Sequence, residues 1–164
     1  LHRRSGALEA ARRELEQLLR LHPSNQELLQ LAVLVDLQEG RGQNALKRLM
    51  AQFALRPEGQ RLELGLLLAD LHRQLDQSKA AADLYQQLAK ESAEDIRAVI
   101  ALAMLHQEQG NAAQVQRWLE QARLRRGNND RPDPLIDDLA YRWGLRAARV
   151  RAEQQRSEVP APTP

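Results

Sequence analysis

The chain has 164 residues, no cysteine and a formal net charge of +2 at pH 7. Hydrophobic residues make up 43% of it but aromatic residues only 3%, so leucine and alanine, which favour helices, supply most of the apolar content. This composition indicates an all-α globular fold and excludes disulfides and thiolate chemistry. No apolar run approaches the roughly 18 residues that a membrane-spanning helix needs.

Apolar residues recur at helical spacing along most of the chain. Leu28, Leu31 and Val35 show the pattern, since residues three, four and seven apart share one face of a helix. In chain order, this spacing predicts helices over 5–21, 26–38, 43–55, 60–74, 78–90, 95–108 and 112–126.

An eighth helix is predicted over 134–155. Asp133 is placed to cap its start, and Pro134 occupies the first helical position, where a missing N–H costs nothing. Gly144 would bend this helix. The remaining segment, 156–164, is rich in proline and is predicted to be disordered. The residues expected to cover the preceding helices are Leu135, Leu139, Trp143 and Val150.

The same pattern occurs three times. Gly40, Leu75 and Gly110 stand 35 residues apart, each in a short turn between two predicted helices. Glycine suits such a turn because it tolerates positive φ, whereas leucine does not, so we expect Asp76 or a shifted turn in the middle unit. Two further ladders follow the turns: the small residues Ala11, Ala45, Ala80 and Val115, and the large residues Leu15, Leu49, Leu84 and Leu119. We expect Ala80 to be buried at a contact between helices.

A helix–turn–helix period near 34 residues with these two ladders resembles the tetratricopeptide repeat (TPR) family. The likeness covers roughly residues 7–127, and Leu29, Leu64 and Val99 stand where the family has an aromatic residue in the first helix. The resemblance implies an all-α, right-handed α-α superhelix, a TPR-like helical-hairpin solenoid, with a C-terminal capping helix. The predicted divisions are repeats over 1–127 (a half repeat over 5–23, then 26–58, 60–93 and 95–127), a capping helix over 128–155 and a tail over 156–164.

The resemblance also implies a binding groove, because the first helices of TPR proteins line a concave surface that holds partner proteins. Its floor here is largely apolar, with charged residues at the edges, which suits a partner helix or an extended apolar segment. The alternative is a shallow groove, or one that the chain's own last helix fills. The residues that the resemblance places in the groove are Gln30, Leu34, Leu37, Gln38, Ala69, His72, Arg73, Arg97, Met104, Gln107 and Glu108.

No constellation of residues predicts catalysis. The four histidines are scattered and have no cysteine or close acidic partner to complete a metal site. No glycine-rich loop of the kind that cradles phosphate is present. We therefore predict that the chain is not an enzyme, has no catalytic residues, and takes no cofactor, metal ion or small-molecule substrate.

The leading hypothesis is a scaffold module that binds a protein or peptide, as part of an assembly factor or a membrane-anchored protein. Homo-oligomerisation is one alternative. Nucleic-acid binding by the arginine-rich C-terminal helices is another, and 139–153 faintly resembles a helix-turn-helix. Interleaved acidic residues instead favour a solvated helix face. The arginines concerned are Arg123, Arg125, Arg126, Arg142, Arg146, Arg149 and Arg151.

The first residues, Leu1 to Arg4, read LHRR. Basic residues of this kind flank membrane anchors on the cytoplasmic side. A cytoplasmic location, or the cytoplasmic face of a membrane reached through a segment before Leu1, is therefore favoured. The sequence names neither the partner nor the pathway.

Overall fold

A computed structural model describes residues 2–127 and 133–143, with only the backbone over 2–5. These residues form helices and turns without a β-strand. The helices are α1 (His2–Leu21), α2 (Gln26–Gln38), α3 (Gly42–Leu55), α4 (Leu62–Gln74), α5 (Ser78–Glu91), α6 (Arg97–Glu108), α7 (Ala112–Arg125) and α8 (Pro134–Arg142).

These boundaries follow the predicted ones closely from α1 to α7. The predicted continuation of the last helix to 155, the bend at Gly144, the covering residue Val150 and the proline-rich tail lie outside the described residues. The chain forms two compact units, Leu1–Glu91 and Ser92–Pro164. The predicted division into repeats over 1–127 and a capping helix over 128–155 stays a prediction. No helix in the described ranges combines the length and apolar character that crossing a bilayer requires.

The turns inside the three hairpins, α2–α3, α4–α5 and α6–α7, share one geometry. Each contains a residue with positive φ: Gly40 (72°), Asp76 (58°) and Gly110 (76°). The expectation that Asp76 replaces Leu75 in this role is confirmed. The residue after each turn donates a backbone N–H to a carbonyl five residues earlier, on Asp36, His72 and His106, over 2.7, 2.8 and 2.9 Å. This bond satisfies a carbonyl that the end of the helix would otherwise leave unpaired.

The shared turn corrects the predicted repeat register. Asp76 follows Gly40 by 36 residues and precedes Gly110 by 34, so the interval is not the predicted 35 on both sides. The buried small residues of the second helices are accordingly Ala45, Ala81 and Val115, and the large ones are Leu49, Tyr85 and Leu119. The predicted position Ala80 was wrong by one residue, since Ala80 is only half-buried, whereas the predicted Leu84 is buried as well as Tyr85.

The two intervals differ by two residues, of which one lies in α4, with 13 residues against 12 in α6, and the other lies in the loop that joins α3 to α4. Six residues, 56–61, separate these helices, whereas five, 92–96, separate α5 from α6. Loops accept such insertions at little cost because they lie on the surface. The insertion shifts α4 and α5 together. Gly65 therefore stands at the first-helix position that the prediction gave to Leu64. A Cβ built on Gly65 would lie only 2.5 Å from the Leu88 side chain of α5.

An ion pair joins the start of α4 to the end of α5 within the first unit. The Arg61 guanidinium donates two hydrogen bonds, of 2.9 and 2.8 Å, to the Glu91 carboxylate. These bonds lower the pKa of Glu91 and raise that of Arg61. Arg61 also lies over the Phe53 ring, 4.2 Å from its centroid. A half-buried pair with two parallel bonds fixes helix geometry better than an exposed one.

In the second unit, α8 packs against α7, and Asp133 caps its start as predicted. The Asp133 carboxylate accepts hydrogen bonds from the backbone N–H groups of Leu135 and Ile136, at 3.1 and 3.4 Å. The buried side of α8 consists of Ile136 and Ala140. Leu135 is exposed, so the prediction that it packs on the preceding helices was wrong. Relative to the predicted side, the packed side of α8 is shifted by about one residue, to Ile136. Leu139 and Trp143 are half-buried.

Asp76→Gly should stabilise the first unit. A non-glycine residue with left-handed φ carries a strain of about 1–2 kcal/mol, which glycine would remove. Glycine also gives the unfolded chain more conformational freedom, and this offsets part of the gain. The carboxylate is exposed, so its loss should matter little. We expect the free energy of unfolding in urea to rise by about 0.5 kcal/mol. A decrease would show that the Asp76 side chain stabilises this turn.

Candidate partner-binding faces on the first helices

The first helices of the hairpins, α2, α4 and α6, each have a buried side and a solvent-facing side. On α2, Leu29, Ala32 and Val33 are buried against neighbouring helices. Leu31 and Leu34, on the other side, are 49% and 58% exposed. Leucine is common on protein surfaces one residue at a time, but two on adjacent turns of one helix form an apolar strip.

In the first unit, α2 and α4 pack side by side. The Gln26 side-chain amide on α2 donates to the Glu63 backbone carbonyl on α4 over 3.1 Å. Their solvent-facing residues therefore form one surface, here called the unit-one face. It consists of Glu27, Gln30, Leu31, Leu34, Leu37 and Gln38 from α2 and Glu63, Leu66, Asp70, Arg73 and Gln74 from α4.

The one-residue shift of α4 changes the predicted site. Ala69 is fully buried and offers no surface to a partner, so its place belongs to Asp70. His72 is half-buried beside the hairpin turn, with Nδ1 2.6 Å from the Gln77 side-chain oxygen. Arg73 keeps its predicted place on the face. Leu66, Asp70 and Gln74 were missed because the predicted register was one residue early on this helix.

Charge is distributed unevenly along the unit-one face. Glu27 and Glu63 are exposed in the first turns of α2 and α4, and Arg73 lies near the end of α4. Asp70, in the middle of α4, accepts a hydrogen bond from the buried Tyr85 hydroxyl of α5. That bond fixes the direction of the carboxylate. The face therefore has an acidic end at Glu27 and Glu63, a centre where the Asp70 carboxylate lies among leucines, and Arg73 toward its other end.

The second unit has its own solvent-facing strip on α6. Its residues are Arg97, Ile100, Met104, Gln107 and Glu108, which are exposed or half-buried. Arg97 lies at the first helical position, and its guanidinium donates to the Asp95 carboxylate over 3.1 Å. The predicted residues on α6 thus lie on one side of the helix, the side away from the buried Val99, Leu102 and Ala103.

No group of three or more metal-ligating side chains occurs among the residues that the structure describes. Burial lowers the pKa of His106, which favours the neutral imidazole. The predicted lack of enzymatic activity nevertheless stays a prediction.

The arginines of the nucleic-acid alternative have protein partners where they are described. Arg123 pairs with Asp137, and Arg142 pairs with Asp138. Arg125 donates to the backbone carbonyls of Ser92 and Asp95, at 3.1 and 3.0 Å. Arg126 lies 3.6 Å from the Asp133 carboxylate. Arg146, Arg149 and Arg151, together with most of the helix-turn-helix-like stretch, lie outside the described residues.

No protein-family model and no curated protein matches the chain. Solved structures do match. A crystal structure of MamA covers 91% of this chain and 86% of its own, at 20% identity and a TM-score of 0.59. A tetratricopeptide repeat protein from Parabacteroides merdae covers 96% of this chain and 75% of its own, at 20% identity and a TM-score of 0.55. At these identities the likeness establishes the fold, so the predicted all-α, TPR-like helical-repeat fold is confirmed.

Proposed function

We propose that this chain is a protein-binding module whose unit-one face holds an amphipathic helix of a partner protein. The observation that carries the proposal is the exposed apolar strip of Leu31 and Leu34 on α2, beside the parallel strip of α4. The TPR-like fold supports it, because repeats of this kind present their first helices to partners. The general role, a scaffold for protein–protein contact, rests on the fold. The choice of the unit-one face rests on the exposed Leu31 and Leu34.

The chemistry of the face specifies the partner. Covering a leucine side chain contributes about 1.5–3 kcal/mol, so an apolar row on the partner supplies most of the affinity. The acidic end at Glu27 and Glu63 favours a basic residue at one end of the partner helix, and Arg73 favours an acidic residue at the other. The polar side chains of Gln30 and Gln38 border the leucines and would hydrogen-bond at the rim.

We extend the proposal to the α6 strip of the second unit, which offers Ile100 and Met104 as its apolar part. Methionine adapts its shape to a contacting surface more readily than leucine. A role within an assembly factor or a membrane-anchored protein also belongs to this proposal. The identity of the protein that the unit-one face captures would test that role.

Capture from a lysate of the source cells, with Leu34→Glu as the test variant, addresses the proposal. Leu34 is exposed, so the variant should fold, but a charge in the apolar strip should weaken capture by at least about tenfold, or 1.4 kcal/mol. Leu55→Glu is the matched control, because Leu55 is 77% exposed at the end of α3, outside the unit-one face. Quantitative mass spectrometry compares the captured proteins.

A protein retained by the native chain and by Leu55→Glu, but lost with Leu34→Glu, would support the proposal. Equal loss with both variants would contradict it, because the contact would then not depend on this face. Homo-oligomerisation stays an alternative. Light scattering over a range of concentrations tests it, since a constant monomer mass would remove it.

A further inference from the structure

Asp70 places a charge where the other first helices have an apolar side chain. It stands six residues before the residue with positive φ in its hairpin turn, and Leu34 on α2 and Met104 on α6 stand at the same distance from theirs. Leu34 is 58% exposed and Met104 is 38% exposed, so these two positions present apolar side chains to solvent. The α4 position is therefore the one of the three at which the repeat offers a carboxylate to a partner.

The Asp70 carboxylate is held in place by the core of the first unit. The Tyr85 hydroxyl on α5 donates a hydrogen bond to Asp70 Oδ1, and the Tyr85 side chain is fully buried, so the donor has little room to move. Among residues 2–127 and 133–143, no lysine, arginine or histidine forms an ion pair with Asp70. The described part of the fold thus fixes the direction of this negative charge without neutralising it. A side chain that is already fixed loses little conformational entropy when a partner binds.

Covering the apolar part of the unit-one face also covers Asp70. Leu34 holds the equivalent position on α2, which packs beside α4, and Leu66 lies about one helical turn before Asp70 on α4 itself. A helix that contacts these leucines therefore removes water from the Asp70 carboxylate, which is half-buried already. Removing the hydration of a carboxylate opposes binding unless the partner supplies a donor or a positive charge.

We propose that Asp70 determines which helix the unit-one face accepts. The partner helix would carry an arginine in the middle of its apolar row, opposite Asp70, where the guanidinium donates charge-assisted hydrogen bonds to the carboxylate. Arginine suits this place better than lysine, because the planar guanidinium directs two parallel donors at one carboxylate. The inference rests on the proposed function and deepens it, since a basic residue inside the row is a different requirement from the charges at the ends of the partner helix.

Two synthetic peptides test this requirement. Each forms an amphipathic helix of about 18 residues, or about five turns, with leucines at i, i+3 and i+7 and a guest residue at i+4. The guest is arginine in one peptide and norleucine in the other, and fluorescence anisotropy measures binding of each labelled peptide to the full chain. The arginine peptide should bind at least about tenfold more tightly. General charge attraction would act in the opposite direction, because the chain has a net charge of +2.

Substitutions in the chain locate the preference for arginine. Asp70→Leu removes the charge and continues the apolar strip, so the norleucine peptide should then bind at least as tightly as the arginine peptide. Asp70→Asn keeps an oxygen that can accept from the Tyr85 hydroxyl, and it should reduce the preference to below about threefold. Asp83→Leu is the matched control, because Asp83 is exposed on α5, outside the unit-one face, and the preference should remain. Urea unfolding verifies that each variant is folded in the assay.

Leu34→Glu separates this inference from the function on which it rests. It should weaken binding of the norleucine peptide by at least about tenfold, because that peptide would occupy the unit-one face. A preference for arginine that is lost with both Asp70 variants and kept with Asp83→Leu would support the inference.

Two contrary results have different meanings. If Leu34→Glu weakens binding but the native chain binds both peptides equally, or Asp70→Leu keeps the preference for arginine, the role of Asp70 is overturned and the unit-one face stands. If neither peptide binds the native chain, or Leu34→Glu binds the norleucine peptide as the native chain does, the unit-one face and the role of Asp70 fail together.

Discussion

Ala81→Glu should lower the free energy of unfolding of the first unit by about 3–5 kcal/mol, because a carboxylate cannot keep its hydration at a fully buried contact. Ala81 has no exposed surface and lies on α5, which packs against α4. The added side chain also has no space among tightly packed neighbours, and overpacking adds its own cost. Urea unfolding followed by circular dichroism measures the change.

Ala80→Glu is the matched control for this prediction. Ala80 precedes Ala81 in the same helix and is half-buried, so its glutamate can turn toward solvent. We expect a loss below about 1 kcal/mol. A strict 35-residue interval makes Ala80 the buried residue and therefore predicts a larger loss of stability for Ala80→Glu than for Ala81→Glu. The pair therefore tests the repeat register directly, and a larger loss with Ala80→Glu would show that the register with intervals of 36 and 34 residues is wrong.

Tyr85→Ala should destabilise the first unit by a similar amount, about 3–5 kcal/mol. Tyr85 is the largest of the fully buried side chains in the described part of the chain, and alanine would leave a cavity that the surrounding helices cannot close. Tyr85→Phe keeps the ring but removes the hydroxyl that donates to Asp70, so it should cost about 1 kcal/mol. Both variants are compared with the native chain in urea.

The difference between the two Tyr85 variants separates packing from hydrogen bonding. If Phe and Ala destabilise the unit equally, the hydrogen bond to Asp70 carries the stability and the burial argument fails. If Tyr85→Phe also weakens partner capture without unfolding the unit, the bond has a second role. It would then orient the Asp70 carboxylate on the unit-one face.

Local signals in the sequence predicted most of the helices. Helix starts and ends were readable because each periodic stretch is bounded by polar or turn-forming residues. The identity of the residue at positive φ was readable too, since leucine cannot take that conformation and Asp76 stands beside it. A turn at Asp76 also implies that the α4–α5 hairpin lies one residue later than a 35-residue interval places it. Moving the ladders with the turn would have replaced Ala80 by Ala81 and Ala69 by Asp70.

Other features depend on contacts between distant residues, which no local pattern specifies. Arg61, Glu91 and Phe53 come from three different parts of the chain, and nothing in the sequence marks them as neighbours. The side of α8 that packs is another case. Leu135 and Ile136 are both apolar and adjacent, so the hydrophobic pattern alone does not decide which of them faces α7, and the structure buries Ile136.

The predicted groove residues came from the TPR resemblance and not from a local pattern. Those on α2 lie on its solvent-facing side, whereas the residues with that exposure on α4 stand one position later than predicted. Their role in binding a partner stays a prediction.

Photo-crosslinking from position 34 tests the central claim most directly. A photoreactive amino acid replaces Leu34 in one variant and Leu55 in another, and each chain is irradiated in source-cell lysate. We expect one partner to be crosslinked from position 34 and not from position 55, through a segment with apolar residues at helical spacing. Crosslinks of the same partner from both positions, or from position 55 alone, would contradict binding at the unit-one face.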